Sequence, residues 1–172
     1  GIILKNLGSL KEASVYYQKA IAIEPNFPQA YNNLGNVLYE SGKSDESIAC
    51  YKKAIKIQPQ YIKAHQNLME AYEKTNKEQS LKEALSNAKN LIKNHPVTKL
   101  YNGIVLNKSD KFHNAIDCLE SISFKLDETK NEIQRVSTLA KCYDRIGNTE
   151  KAFKYFKQSN NLVPLVKKEI NL

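Results

Sequence analysis

Ala30-Tyr31-Asn32-Asn33-Leu34-Gly35-Asn36-Val37-Leu38, then Gly42, then Ser47-Ile48-Ala49-Cys50-Tyr51-Lys52-Lys53-Ala54 and Pro59, form one complete unit of this chain. The apolar residues of each half recur at helical spacing, Gly42 supplies a turn between the halves, and Pro59 closes the second half. The stretch therefore predicts a pair of helices folded back on each other. The same order of small, aromatic and turn residues returns along the sequence at roughly 34-residue spacing, the mark of a stacked repeat.

Against this reference, Gly42 aligns with Gly8 and Gly147, Tyr51 with Tyr17 and Phe156, Ala54 with Ala20, and Pro59 with Pro25, Pro96 and Pro164. Ser9-Leu10-Lys11-Glu12-Ala13 recurs letter for letter as Ser80-Leu81-Lys82-Glu83-Ala84. Each copy reads as a Ser-x-x-Glu capping box opening a second helix. That alignment places about three extra residues near Lys77-Glu78-Gln79. The fourth unit, with Gly103, Leu106, Ala115, Ile116 and Leu119, lacks a closing proline, and Lys125 to Asn131 reads as a longer polar connector.

The unit resembles the tetratricopeptide repeat, whose helix-turn-helix pairs stack into a right-handed solenoid. The resemblance implies an all-α solenoid of about four and a half repeats: a partial unit over 1–27, units over 28–61, 62–97 (with the insertion), 98–128 (irregular) and 129–164, and the start of a further or capping helix over 165–172, all one domain. Gly1 falls where the small residue of a first helix belongs, which predicts a fragment of a longer protein.

Close helix crossing needs small side chains, supplied by Gly35, Gly103 and Ala140 on first helices and by Ala13, Ala84, Ala115 and Ala152 on second helices. Tyr17, Tyr51 and Phe156 are expected to fill the wedge between units, each contributing about 1.5–3 kcal/mol by burial. Met69 stands where Gly35 stands and Ala88 where Tyr51 stands, which predicts an exchange of volume between the two positions.

Chemistry finds little purchase. Cys50, Cys118 and Cys142 are too few and scattered for a disulfide framework and read as buried free thiols. His65, His95 and His113 lack the spacing of a metal site or an acid-base pair. There is no phosphate loop, no His-Glu-x-x-His and no nucleophile elbow, while Asp45-Glu46, Asp127-Glu128 and Glu169 fit caps and exposed turns. The expectation is a non-enzyme without cofactor, metal or catalytic residue. No apolar run approaches the roughly 18 residues of a membrane span, and the cytoplasm is the default location.

Function then belongs on a surface. First helices of a solenoid line its concave groove, and in the second and third units the expected groove positions carry Gln29, Asn32, Asn33, Asn36, Lys63, Gln66, Asn67 and Glu70. Amides donate and accept together, so such a row can bond the backbone of an extended peptide without demanding one sequence. The later units present Tyr101, Ile104 and Asn107, then Gln134, Ser137, Thr138 and Lys141, a second sub-site of mixed character.

Residues 30–36 resemble the repeats of O-GlcNAc transferase, which implies peptide-backbone binding by Asn33 and Asn67, with Tyr101 and Thr138 departing from the asparagine pattern. The two-carboxylate clamp of chaperone-binding tetratricopeptide domains is largely missing: Asn36 and Asn67 fit, but Asn32, Val97 and Tyr101 replace its basic members. Leu139 to Asn148 with Ala152 to Phe156 and Asn160-Asn161-Leu162 is similar to the last repeat of bacterial proteins in which such an array precedes a sulfotransferase domain. That implies a substrate-recruiting arm whose catalytic domain lies outside the chain.

The net charge of +8 raises a third reading, an RNA-binding scaffold. The lysines are spread over every unit and the arginines are only Arg135 and Arg145, which favours a solvated basic face over nucleic-acid recognition. The expected partner is a protein or peptide, with self-association through the solenoid ends as a further route.

Overall fold

The computed structural model describes residues 10–125 and 128–170, with side chains through Pro164. Among the described residues it is entirely helical, with nine helices: α1 (Leu10–Ile23), α2 (Pro28–Glu40), α3 (Ser44–Ile57), α4 (Ile62–Lys74), α5 (Glu78–Leu91), α6 (Pro96–Lys108), α7 (Phe112–Glu120), α8 (Thr129–Arg145) and α9 (Thr149–Ile170). The fold class is the all-α repeat solenoid of about four and a half repeats. The chain divides into two compact units, one ending at Ile92 and the other beginning at Lys93. First helices are α2, α4, α6 and α8; second helices are α1, α3, α5, α7 and α9.

One backbone device makes each first helix turn into the second. Gly42, Asn76, Asp110 and Gly147 occupy the left-handed region, at φ +79°, +53°, +57° and +78°. The next N–H then reaches back five residues: Lys43 to the carbonyl of Leu38, Lys77 to Tyr72, Lys111 to Leu106 and Asn148 to Tyr143, at 2.9, 2.9, 3.0 and 2.9 Å. This satisfies carbonyls that a helix end otherwise leaves orphaned. Glycine adopts the left-handed conformation without a Cβ penalty, and Asn and Asp tolerate it better than other residues.

That device sets the register and corrects several expectations. Gly42 to Asn76 and Asn76 to Asp110 are each 34 residues, and residues 75–77 join α4 to α5 just as 41–43 join α2 to α3. The third unit therefore carries no insertion between its helices. The extra residues fall in the fourth: Asp110 to Gly147 is 37 residues. Ser80 is the third residue of α5 rather than a cap, and Glu83 accepts a hydrogen bond from Gln79 Nε2 at 2.9 Å instead of closing a box. Gly1, Gly8 and Ser9 lie outside the described residues.

In the corrected register Leu85, not Ala88, shares the position of Tyr51, and Leu81, not Ala84, shares that of Ala13. Ala88 is therefore not the counterpart of Tyr51, which removes the basis for an exchange of volume between Met69 and Ala88. Pro96 opens α6 as Pro28 opens α2, where a missing N–H costs nothing. Pro164 lies inside α9, which continues to Ile170. Phe156 is exposed rather than wedged.

Within the first unit, the ring of Tyr51 lies on Gly35. A Cβ built there would sit 2.5 Å from Cε1 of that ring, and the hydrogen bond from Tyr51 Oη to Asn36 Oδ1 at 2.9 Å opposes a shift of the ring away from it.

In the second unit α7 is only 9 residues long, and a polar cluster replaces its missing turns. Arg135, buried on α8, donates through Nη1 to the carbonyl of Leu119 at 3.2 Å and forks onto the Glu132 carboxylate at 2.8 and 2.5 Å. Tyr143 and Tyr155 stack at 5.7 Å between centroids, and their hydroxyls donate to Glu120 Oε1 at 2.7 and 3.1 Å. The hydrogen bond from Tyr143 and then that from Tyr155, helped by Lys151 and Arg135, hold the Glu120 carboxyl below its usual range against the opposing effect of burial.

Two consequences are measurable. Gly35→Ala gains helix propensity but overpacks against Tyr51, and it should lower the unfolding free energy by roughly 1–3 kcal/mol in urea titration. A depressed carboxyl stabilises the fold above its unfolded pKa and loses that contribution as pH falls through its folded one. Glu120 is exposed and its interactions are screened by solvent, so Glu120→Gln should lower Tm by at most about 2 °C near neutrality, and its deficit against the parent should shrink below about pH 4. A deficit unchanged with pH would remove the charge-based account.

Candidate functional site

The first-helix residues expected to meet a ligand fall in both compact units, and the structure treats them differently. In the first unit Asn67, on α4, is gripped by two residues of α2. Its Nδ2 donates to Asn32 Oδ1 and to Asn36 Oδ1, each at 2.9 Å. Asn36 Oδ1 also accepts from Tyr51. The three amides and the phenol form one network that ties α2, α3 and α4 together.

The network changes the expected row of amides. Asn32 is buried, 3% exposed, so its role is to hold Asn67. Asn36 and Asn67 are half-buried. With its carbonyl oxygen doubly used, Asn36 keeps N–H capacity; with its amide hydrogens used, Asn67 keeps carbonyl capacity. Asn33 is half-buried and Gln29 and Lys63 are exposed. Gln66 and Glu70 are half-buried and take part in interactions of their own. The Glu70 charge, after burial, raises the phenol pKa values of Tyr39 and Tyr51, so both rings remain protonated donors.

In the second unit, Tyr101, Ile104 and Thr138 are buried, at 0%, 3% and 8% exposure. Thr138 Oγ1 donates to its own helix at the carbonyl of Gln134, 2.8 Å. Ser137 Oγ pairs with Ser159 Oγ on α9 at 2.9 Å. Lys141 is exposed. It lines a polar cleft of about 320 Å³ with Asn107, Lys108, Phe112, Asp144 and Arg145. Of its lining the sequence pointed only to Asn107 and Lys141, because the cleft forms from three helix ends with no shared motif.

Several of the remaining reactive side chains have structural partners. Cys142 is buried and donates to Asn107 Oδ1 at 3.3 Å; Cys50 and Cys118 are half-buried, less than expected. Burial pushes the thiols of Cys50 and Cys142 up to about 11, so they stay protonated at neutral pH. His65 meets the Pro59 carbonyl at 2.7 Å, and His95 Nδ1 accepts from the Val97 N–H at the start of α6. Among the described residues no group of His, Cys, Asp and Glu could hold a metal ion, and no helix is long and apolar enough to cross a membrane.

Residues 1–42 and 35–76 match the family model described as TPR repeat, and residues 137–162 match the model described as tetratricopeptide repeat. The chain is a tetratricopeptide-repeat protein. Solved structures share the fold. The chain is similar to MamA at 21% identity and TM-score 0.67, covering 96% of this chain and 95% of that one. It is similar to YrrB, described as a tetratricopeptide-repeat protein with an unusual peptide-binding site, at 18% identity and TM-score 0.64, covering 99% and 88%. It is similar to PilF of Pseudomonas aeruginosa at 20% identity and TM-score 0.71, covering 95% and 73%. No curated protein matches the sequence.

The amide network of this tetratricopeptide-repeat protein can be probed by stability alone. Asn67→Ala removes the donor to Asn32 Oδ1 and one of the two donors to Asn36 Oδ1, and should cost about 1–3 kcal/mol in urea unfolding. Asn67→Asp places a carboxylate against the oxygens of Asn32 and Asn36 and should cost more at pH 7 than at pH 4. Equal, negligible effects of both variants would show that the three amides are not bonded in solution.

Proposed function

We propose that the chain is a non-catalytic interaction scaffold whose first-helix face in the first unit holds an extended or helical peptide segment of a partner protein. The observation that carries this reading is the fixed polarity of the amides. Asn67 is locked by its donors and Asn36 by its acceptor, which leaves a carbonyl on one and an N–H on the other. A peptide backbone offers the complementary pair at every residue. Because the amides are already oriented by Asn32 and Tyr51, little side-chain entropy is lost when the ligand binds.

Asn33, Gln29 and Lys63 extend the surface with exposed or half-buried polar groups, while Gln66 and Glu70 flank it. In the second unit Lys141 is a separate exposed basic group. The likeness of residues 30–36 to O-GlcNAc transferase repeats supports a ligand held by its backbone, and the peptide-binding site named for YrrB supports a peptide as the ligand. The net charge of +8 favours acidic segments over basic ones through long-range attraction, an effect that weakens with salt. The likeness of residues 139–162 to arrays that precede a sulfotransferase domain would make the same surface a recruiting arm for a catalytic domain outside these residues.

A peptide selected from a random display library tests the mechanism. Asn33→Ala should weaken its binding roughly three- to tenfold, an effect of the size of one or two hydrogen bonds. N-methylation of the peptide backbone at the contacted residues should weaken it at least as much, while most side-chain changes do little. Binding indifferent to both Asn33→Ala and backbone methylation would sink the reading.

A further inference from the structure

The register of α6 and α8 builds the polar cleft of about 320 Å³ in the second unit. Lys108 on α6 and Arg145 on α8 each stand two residues before a left-handed junction residue, Asp110 and Gly147, so they occupy equivalent places. Lys141 lies four residues before Arg145 and shares its side of α8. Phe112, half-buried at the start of α7, adds an apolar wall. The helix dipole favours cations within the last turn, which accounts for Lys108 and Arg145 taken singly. It does not account for Lys141, which lies farther back. Nor does it explain the contrast with the first unit, where Glu40 and Glu70 hold the places of Arg145 and Lys141.

Two further features make the cleft receptive to an anion. Asn107, half-buried, accepts at its Oδ1 from the buried Cys142 thiol at 3.3 Å, and burial keeps that thiol protonated. With its oxygen occupied, Asn107 has its Nδ2 hydrogens left for the cleft that it lines. Moreover, Lys108, Lys141 and Arg145 form no ion pair among the described residues, although Asp110 and Asp144 also line the cleft. Three cations and two carboxylates leave a single positive charge, which matches one carboxylate better than a phosphate dianion.

We infer that this cleft is a second binding site, which receives one glutamate side chain of a partner's peptide. The glutamate carboxylate accepts from Asn107 Nδ2 and from the Arg145 guanidinium, with Lys108 and Lys141 beside it, and its methylenes lie against Phe112. Most of the lining is exposed, and the volume is at the lower end of the roughly 300–1,000 Å³ of pockets that enclose a free small molecule. A carboxylate carried on a chain therefore suits the cleft better than a free acid. Asn36, Asn67, Val97 and Tyr101, considered above for a two-carboxylate clamp, take no part. The site also shares no residue with the peptide-holding face on α2 and α4, so each can fail without the other.

The probe is N-acetylglutamate α-amide, which carries one side-chain carboxylate, titrated at low salt into the isotope-labelled full chain and followed by backbone amide shifts. Saturable shifts are expected in residues 107–112 and 141–145, with N-acetylglutamine α-amide inert. An otherwise all-alanine peptide with one central glutamate should bind at least as tightly. Lys141→Gln with Arg145→Gln should weaken binding about tenfold or more, the loss of charged hydrogen bonds, and Phe112→Ala roughly threefold. Lys154→Gln with Lys157→Gln removes the same charge from α9 and should change binding less than about twofold. The four basic side chains are exposed, so helical circular dichroism should hold. If the Arg145 variant unfolds, Lys108→Gln with Lys141→Gln supplies the test, with a loss of roughly fivefold. The inference is overturned if these residues show no saturable shift, or if the α9 pair weakens binding as much as the cleft pair. It is equally overturned if inorganic phosphate binds the cleft more tightly than the glutamate probe, or if the peptide binds more weakly than the free amide.

Discussion

The left-handed residue at the end of each first helix is the constraint from which the rest of the molecule follows. A helix of 13 residues such as α2 or α4 ends with carbonyls that need donors, and in this chain a single positive φ turns the next N–H back to supply one. The same bond aims the following segment into a second, antiparallel helix. Four repetitions of it at Gly42, Asn76, Asp110 and Gly147 convert an amphipathic sequence into a series of hairpins. Each hairpin then brings the eighth residue before the junction against the eighth residue after it. Gly35 meets Tyr51, and Gly103 meets Leu119.

Packing of that kind leaves polar side chains on the first helices with two competing uses. In the first unit much of their capacity is spent internally: Asn32, Asn36 and Asn67 satisfy one another while Tyr51 locks the arrangement. This costs the surface some hydrogen-bonding valence and gives it order in exchange. Unconstrained amides could adapt to any ligand but would lose rotamer freedom on contact, whereas bonded ones present fixed groups. The second unit meets a different problem. Its shortened α7 lacks turns, and Arg135, Glu120, Tyr143 and Tyr155 fill the gap with hydrogen bonds where other second helices use apolar side chains.

Family and helix pairing were legible because they depend on residues with strong local preferences. Glycine at Gly42 and Gly147 and the apolar spacing of each helix act over a few neighbouring residues. The third unit was misread for an instructive reason. Its turn residue is Asn76, which tolerates the left-handed conformation without looking like a turn glycine, and the repeated Ser-Leu-Lys-Glu-Ala phrase offered a false alignment three residues away. Identity of letters proved weaker evidence than identity of backbone geometry. The candidate site was legible only in outline, since helical periodicity places Asn32, Tyr101, Ile104 and Thr138 on first helices but does not say how deeply each is covered.

By itself, then, the sequence determined the all-α repeat, its turn chemistry and the composition of the first-helix faces, since propensity, capping and periodicity are local properties. Tertiary structure alone decided which side chains remain available. Whether Asn67 faces a ligand or Asn36, and whether Phe156 is a wedge or an open surface, depends on which helix lies alongside. That neighbour is set by hydrogen bonds and packing between residues fifteen to thirty-five positions apart, where no local pattern reaches.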